Sequence, residues 1–184
     1  TGFKGSWIAL FLEQLGANVT GFSLPVEKNR HLLLSLSTRS KIKSVFGNVC
    51  DQDALKKVIQ SCDPQIVIHM AAQALVDKSY HFPVDTFATN VLGTANLLEA
   101  LRTLPTLEVV LVVTSDKVYE NSDRIGIAFS EESALGGDDP YSASKVAQEL
   151  VTRAWEKSFF GDKKTILATA RAGNVIGGGD FSKS

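Results

Sequence analysis

Tyr141 and Lys145 stand four residues apart in Tyr141-Ser142-Ala143-Ser144-Lys145, and upstream the stretch Thr114-Ser115-Asp116-Lys117 closes an apolar run from Val109 to Val113. On a helix the phenol and the ammonium share one face, a single turn apart, and a strand end would deliver Asp116 and Lys117 to the mouth of a sheet. A phenol ionises near pH ~10, too high for a base at neutral pH, but an adjacent cation favours the phenolate and brings that value down. Lys145 is the residue spaced to supply the charge. A tyrosine tuned in this way takes a proton from a hydroxyl while the carbinol hydride leaves for a nicotinamide, so these residue types point to alcohol oxidation. The bare pair also describes an amphipathic helix start with an exposed lysine, and its surroundings must decide.

The surrounding elements supply a scaffold. Ile8, Leu12 and Leu15 recur at helical spacing with Gly16 as a stop, which predicts a helix over Gly5 to Leu15. Asn18 to Phe22 and Lys43 to Phe46 read as strands, and Lys28 to Ser40 fits a short helix or a loop. Asp51 or Asp53 opens a helix through Ile59, Gln65 to His69 is a buried type of strand, and Ala71 to His81 reads as a loop. Phe87, Val91, Ala95, Leu98 and Leu101 trace one helix face that opens near Pro83 and ends before Pro105. A strand over Glu108 to Val113, a helix from Tyr141 to Phe160 and a strand over Thr165 to Ala170 complete the series. Such alternation predicts an α/β fold, a Rossmann-type doubly wound parallel sheet with helices on both faces. Ligands of such sheets bind beyond the carboxyl ends of the strands. Gly2 to Gly5, Asn48, Ala71 to Gln73, Ser115 to Lys117 and Arg171 to Asn174 all fall at that edge.

Length and composition narrow the field. The 184 residues suit one domain, 44% apolar content suffices for a core, and 19 basic against 20 acidic residues leave a formal charge of -1. That balance argues against a nucleic-acid or membrane-surface partner. Cys50 and Cys62 form no close pair and no cluster with histidine, so two reduced thiols and no metal are expected. The apolar runs are strand-sized and no leader is legible, which makes the cytoplasm the expected location. The opening Thr1-Gly2-Phe3-Lys4-Gly5-Ser6-Trp7 leads into a helix with no strand before it. Residues 1–184 are therefore expected to be part of an NAD(P)-binding Rossmann domain, a fragment lacking the first strand and a C-terminal substrate domain.

Seven stretches in order then carry a family resemblance: Thr1-Gly2-Phe3-Lys4-Gly5-Ser6-Trp7, His69-Met70-Ala71-Ala72-Gln73, Thr86-Phe87-Ala88-Thr89-Asn90-Val91, Asp116-Lys117-Val118-Tyr119-Glu120-Asn121, Leu135-Gly136-Gly137, Asp139-Pro140 with the Tyr141 to Lys145 motif, and Ala170 to Asp180. The chain resembles the extended short-chain dehydrogenase/reductase family, in its nucleotide-sugar 4,6-dehydratase branch, most closely the members that act on CDP-glucose. The resemblance implies NAD as cofactor, with Gly2, Phe3, Lys4 and Gly5 at its pyrophosphate, Asn48 and Val49 at the adenine, Ala71, Ala72 and Gln73 near the central ribose, and Asn90 ordering the site. The family commonly has aspartate where Asn48 stands, and Gly21-Phe22-Ser23-Leu24 lacks the acidic residue that often grips the NAD ribose. NADP thus stays open, with Lys28 or Arg30 as partners for a 2′-phosphate. The implied catalytic residues are Tyr141 as base at the sugar 4-hydroxyl, Lys145 beside it, Ser115 near O4, and Asp116 as acid for water loss, a role that calls for burial beside the substrate. Lys117 stands where related enzymes have a glutamate base for C5 and serves as base or electrostatic anchor. Ser79 and Tyr80 are candidate substrate contacts, with helix capping and packing as their other roles, and Asn174 a candidate contact to the nucleotide phosphates. His69 reads as a core residue. A homodimer or higher homo-oligomer is also implied. A 4-epimerase or decarboxylase of the same family, or a nonenzymatic dinucleotide-binding protein, remain the alternatives.

Overall fold

Five short strands, each preceded or followed by a helix, make up a parallel α/β architecture in the computed structural model, which describes residues 1–25, 41–120, 126, 128–161 and 164–180. The ambiguous stretch Lys28 to Ser40, with Lys28 and Arg30, lies outside the described residues. Helix α1 spans Phe3–Gln14, and Gly16 follows it at φ 89°, the left-handed turn that stops the helix where the sequence predicts. Strands β1 (Thr20–Ser23) and β2 (Lys43–Phe46) pair in parallel. Helix α2 (Gln52–Cys62) starts on Asp51, whose side chain accepts from the Ala54 amide at 3.0 Å. Strand β3 (Ile66–His69) pairs with β4 (Val109–Val113), and β4 with β5 (Ile166–Ala170), all parallel.

The strands form two sheets, β1-β2 and β3-β4-β5. A doubly wound sheet has the order 3-2-1-4-5-6, with its first strand at the centre. Numbering β1 and β2 as the second and third strands, and β3 to β5 as the fourth to sixth, gives the two halves of that order without the strand numbered 1.

Two helical regions differ from the sequence reading. Within the expected loop, Val76–His81 forms a short helix α3 that packs on the long helix carrying Tyr141. Its six residues have too few turns for a periodic signal, and tertiary packing rather than propensity supports it. The expected helix from Pro83 is broken into α4 (Pro83–Phe87), a π-helical turn over Ala88–Leu92, and α5 (Gly93–Leu101). Helix α6 (Pro140–Trp155) continues into a second π-helical turn over Glu156–Phe160. The core lies between α2, α5 and β4, where Leu55, Leu98, Leu101, Val110 and Val112 are at most 2% exposed.

Candidate active site

The start of α6 is set by a capping box. Asp139 accepts from the amides of Tyr141 at 2.8 Å and Ser142 at 3.0 Å, the Asp139 amide donates to Ser142 Oγ at 3.2 Å, and Pro140 occupies the first turn. Tyr141 is thereby fixed in the first turn with its side chain 8% exposed. Facing it, β4 ends at Val113 and the chain turns through a 3-10 segment over Asp116–Val118, capped by Ser115 Oγ, which accepts from the Lys117 amide at 3.2 Å. The Tyr141 phenol lies within electrostatic reach of the side chains of Ser115, Asp116 and Asp139. Ser115 Oγ also donates to Asp116 Oδ1 at 3.2 Å. The Asp116 amide donates to the Ala172 carbonyl at 3.1 Å, and a Cβ on Gly173 would come 3.4 Å from Asp116 Oδ2, so the ends of β4 and β5 meet here.

Electrostatics at the phenol depart from the sequence expectation. Burial pushes the Tyr141 phenol up from its ordinary value, the neighbouring Ser115 hydroxyl opposes this, and the carboxylates of Asp116 and Asp139 add to the rise. Lys145 does not supply the expected lowering because its Nζ is engaged elsewhere: it donates to the Val113 carbonyl at 3.3 Å and to Gln148 Oε1 at 2.8 Å. The lysine is 3% exposed. Burial first, and then the charge of Lys4, lower its pKa to about 8, with Glu149 pulling the other way. Asp116 and Lys117 are exposed, so the cover that the acid role calls for has to come from a bound substrate.

The other candidate residues sort by what holds them. Asn90 sits in the π turn, fully buried. Its Oδ1 accepts from the Gln73 amide at 2.8 Å, while Nδ2 donates to the Gln73 carbonyl at 3.1 Å and Ser144 Oγ at 2.8 Å, clamping the loop after β3 to α6. Ala71, Ala72 and Gln73 are half-buried along that loop. On the other side, Thr1 Oγ1 and Ser23 Oγ lie 2.7 Å apart, joining the glycine loop to the end of β1. Gly2 caps α1 without a side-chain hydrogen bond, no carboxylate stands in the first turn, and a Cβ on Gly2 or Gly5 would meet nothing within 4 Å. Uncapped amides beside open space suit an anionic group such as a pyrophosphate. Phe3 and Lys4 are half-buried in that turn. Asn48 is exposed after β2, its Oδ1 taken by the Cys50 amide at 2.9 Å, and the adjacent Val49 is buried. Asn174 is exposed after β5. Ser79 is withdrawn from any ligand: it is fully buried and its Oγ donates to the Val76 carbonyl at 2.6 Å within α3. Tyr80 beside it is 62% exposed.

Sequence reading missed two supports of this site. Glu149 accepts from Thr114 Oγ1 at 2.5 Å, Thr169 Oγ1 at 3.0 Å, and Arg171 Nε and Nη2 at 3.2 Å each, tying α6 to β4 and β5. The guanidinium also lies 5.0 Å from the Tyr119 ring, which stacks on Phe129 at 4.7 Å and so anchors the loop leading to α6. The second support is the chain His69, Thr94, Gln148, Lys145. Its signal was present in Ser144, Gln148 and Thr152, polar residues at four-residue spacing on the face that α6 buries. A shallow concavity lined by Asp63, Gln65, Thr106, Glu108 and Lys164 lies at the opposite, amino-terminal edge of β4 and shares no residue with the site. No helix among the described residues is long and apolar enough to cross a membrane.

The chain as a whole is similar to known proteins. A family model described as GDP-mannose 4,6 dehydratase matches residues 1–168. The chain is 42% identical, over its whole length, to CDP-glucose 4,6-dehydratase of Salmonella typhimurium, of which it covers 52%. It is 30% identical to dTDP-D-glucose 4,6-dehydratase of Dictyostelium discoideum over 96% of this chain and 42% of that protein. Among solved structures, dTDP-glucose 4,6-dehydratase from Bacillus anthracis in complex with NAD is similar with a TM-score of 0.72 at 26% identity, covering 86% of this chain and 49% of that one. UDP-glucose 4-epimerase from Brucella ovis in complex with NAD gives 0.71 at 28% identity, covering 86% of this chain and 46% of that one. The chain spans about half the length of the curated relatives it matches.

Proposed function

Because this chain belongs to the GDP-mannose 4,6 dehydratase family, we propose that it is the cofactor-binding part of a lyase that removes water from a nucleotide sugar, CDP-glucose, to give a 4-keto-6-deoxy sugar. The observation that carries this reading is the meeting of Tyr141, Ser115 and Asp116 at the carboxyl edge of β4 and β5, in a chain 42% identical to a CDP-glucose 4,6-dehydratase. NAD is the dinucleotide in both solved relatives named above, which supports it as the cofactor here. Gly2 to Gly5 at the uncapped start of α1, Asn48 and Val49, Ala71 to Gln73, Asn90 and Lys145 would hold it. When bound it takes up a hydride from the sugar and gives it back, so no net reductant is consumed.

In this mechanism the protein's groups handle protons. Ser115 orients the sugar near O4, and Tyr141 removes the 4-hydroxyl proton as the C4 carbinol is oxidised. The resulting ketone acidifies H5, which Lys117 removes in its neutral form, or whose loss it assists electrostatically as a cation. Asp116, covered by the substrate, donates a proton to the departing 6-hydroxyl, and water leaves. C6 is then reduced. Asn174 and Tyr80 are the candidate contacts to the rest of the nucleotide sugar. A further substrate domain, a location in the cytoplasm and a homo-oligomer belong to the same proposal; exposed Val84, Phe87, Leu92 and Leu150 on the helices of residues 83–103 and 141–160 support association.

The test is to incubate CDP-glucose and NAD with the complete protein and weigh the product. A mass lower by one water supports the dehydratase. Unchanged mass with inverted C4 would favour the epimerase reading, and recovered starting material with bound NAD the nonenzymatic one.

A further inference from the structure

Lys145 is held from below by an amide that the proposed chemistry does not use. Gln148, one turn further along α6, is fully buried, and its Oε1 accepts from Lys145 Nζ at 2.8 Å. Its Nε2 donates to Thr94 Oγ1 at 2.8 Å on α5. Thr94 is also fully buried, lies 2.6 Å from the Asn90 carbonyl and 2.9 Å from His69 Nε2.

Donor and acceptor counting fixes the direction of this chain. A carbonyl only accepts, so the single hydroxyl proton of Thr94 goes to Asn90, and Thr94 Oγ1 must accept from both Gln148 and His69. His69 therefore carries its proton on Nε2. An ammonium only donates, so Gln148 must present its oxygen to Lys145 and its nitrogen to Thr94. With Val113 and Gln148 each taking one proton, the ammonium has one donor left.

We propose that Gln148 is a positioning residue for Lys145: locked by Thr94 and His69, its neutral amide holds the ammonium at the end of β4, against the Val113 carbonyl, so that a single N–H remains for the site. The proposal deepens the dehydratase reading and rests on it for the use made of Lys145. A neutral acceptor at this place orients the cation without the strong stabilisation of charge that a carboxylate would bring. The charged and titratable groups that act on Nζ are Lys4 from α1, His69 from β3 and Glu149 from α6. None of them needs to change for the effect of Gln148 to be read.

The experiment follows Lys145 itself. The complete protein is labelled with carbon-13 at the lysine ε position, and the Lys145 signal, assigned by its loss in Lys145→Arg, is titrated by NMR without nucleotide sugar. Wild type should titrate near pH 8. Gln148→Glu should raise the midpoint by about one unit or more, Gln148→Leu should lower it by about one, and Thr94→Val, which frees the amide, should shift it in the direction of Gln148→Leu. Midpoints unchanged in folded variants would overturn the proposal. So would a shift of one sign in both Gln148 variants, or failure of all three to fold, which would make Gln148 a packing residue only. Because turnover is not the readout, shifts as expected in a protein that leaves CDP-glucose intact would reject the dehydratase reading alone.

Discussion

At the residue scale, types and spacing announced which groups meet but not how they are held. Tyr141, Ser115 and Asp116 were legible because a helix start and a strand end each place a side chain predictably. The partner of Lys145 was not, because Gln148 reads as one more polar helix residue until the face it shares with Ser144 and Thr152 is seen to be buried. His69 was read as a core residue, and it is 4% exposed with its pKa lowered to about 4, first by burial and then by the charge of Lys145. A folded-state value below the unfolded one, ~6.5, means that the unfolded chain binds more protons between the two, so stability falls as pH drops through that window. The loss amounts to roughly 3 kcal/mol once the window is crossed. Urea midpoints at about pH 7 and about pH 5 should therefore differ more in the wild type than in His69→Gln. Equal differences in the two proteins would contradict the account.

At the element scale, the start of α6 was visible in Asp139-Pro140, whose cap and first-turn proline set the helix and hence Tyr141. The breaks elsewhere were not visible. The π turn around Asn90 follows from the tertiary clamp between Gln73 and Ser144, which no local propensity encodes. Short α3 rests on α6 for the same reason. One contact ties the preceding loop to the site: a Cβ on Gly137 would lie 2.6 Å from Ala143 N and Ser142 C, backbone atoms of the first turn of α6 that cannot yield without moving Tyr141. Gly137→Ala should cost about 1–3 kcal/mol in stability. It should lower kcat at least tenfold with little change in NAD affinity. Calorimetry with steady-state kinetics reads both, and an unaltered kcat would show that the loop does not set the position of Tyr141.

At the scale of the whole molecule, the alternating pattern was enough to give parallel strands and a ligand edge, whereas the division of those strands into two sheets was not part of the sequence reading. The core shared by α2, α5 and β4 holds the larger part together, and Leu98 at its centre is fully buried. Leu98→Ala should destabilise the complete protein by about 2–5 kcal/mol in urea denaturation. A loss below about 1 kcal/mol would place the stabilising core elsewhere. The order in which protons and hydride move remains the claim on which the functional account stands, and isotope tracing reads it directly. CDP-glucose deuterated at C4, turned over by the complete protein with NAD, should yield a 4-keto-6-deoxy product carrying the deuterium at C6. Deuterium retained at C4, or a dehydrated product with no label at C6, would contradict it.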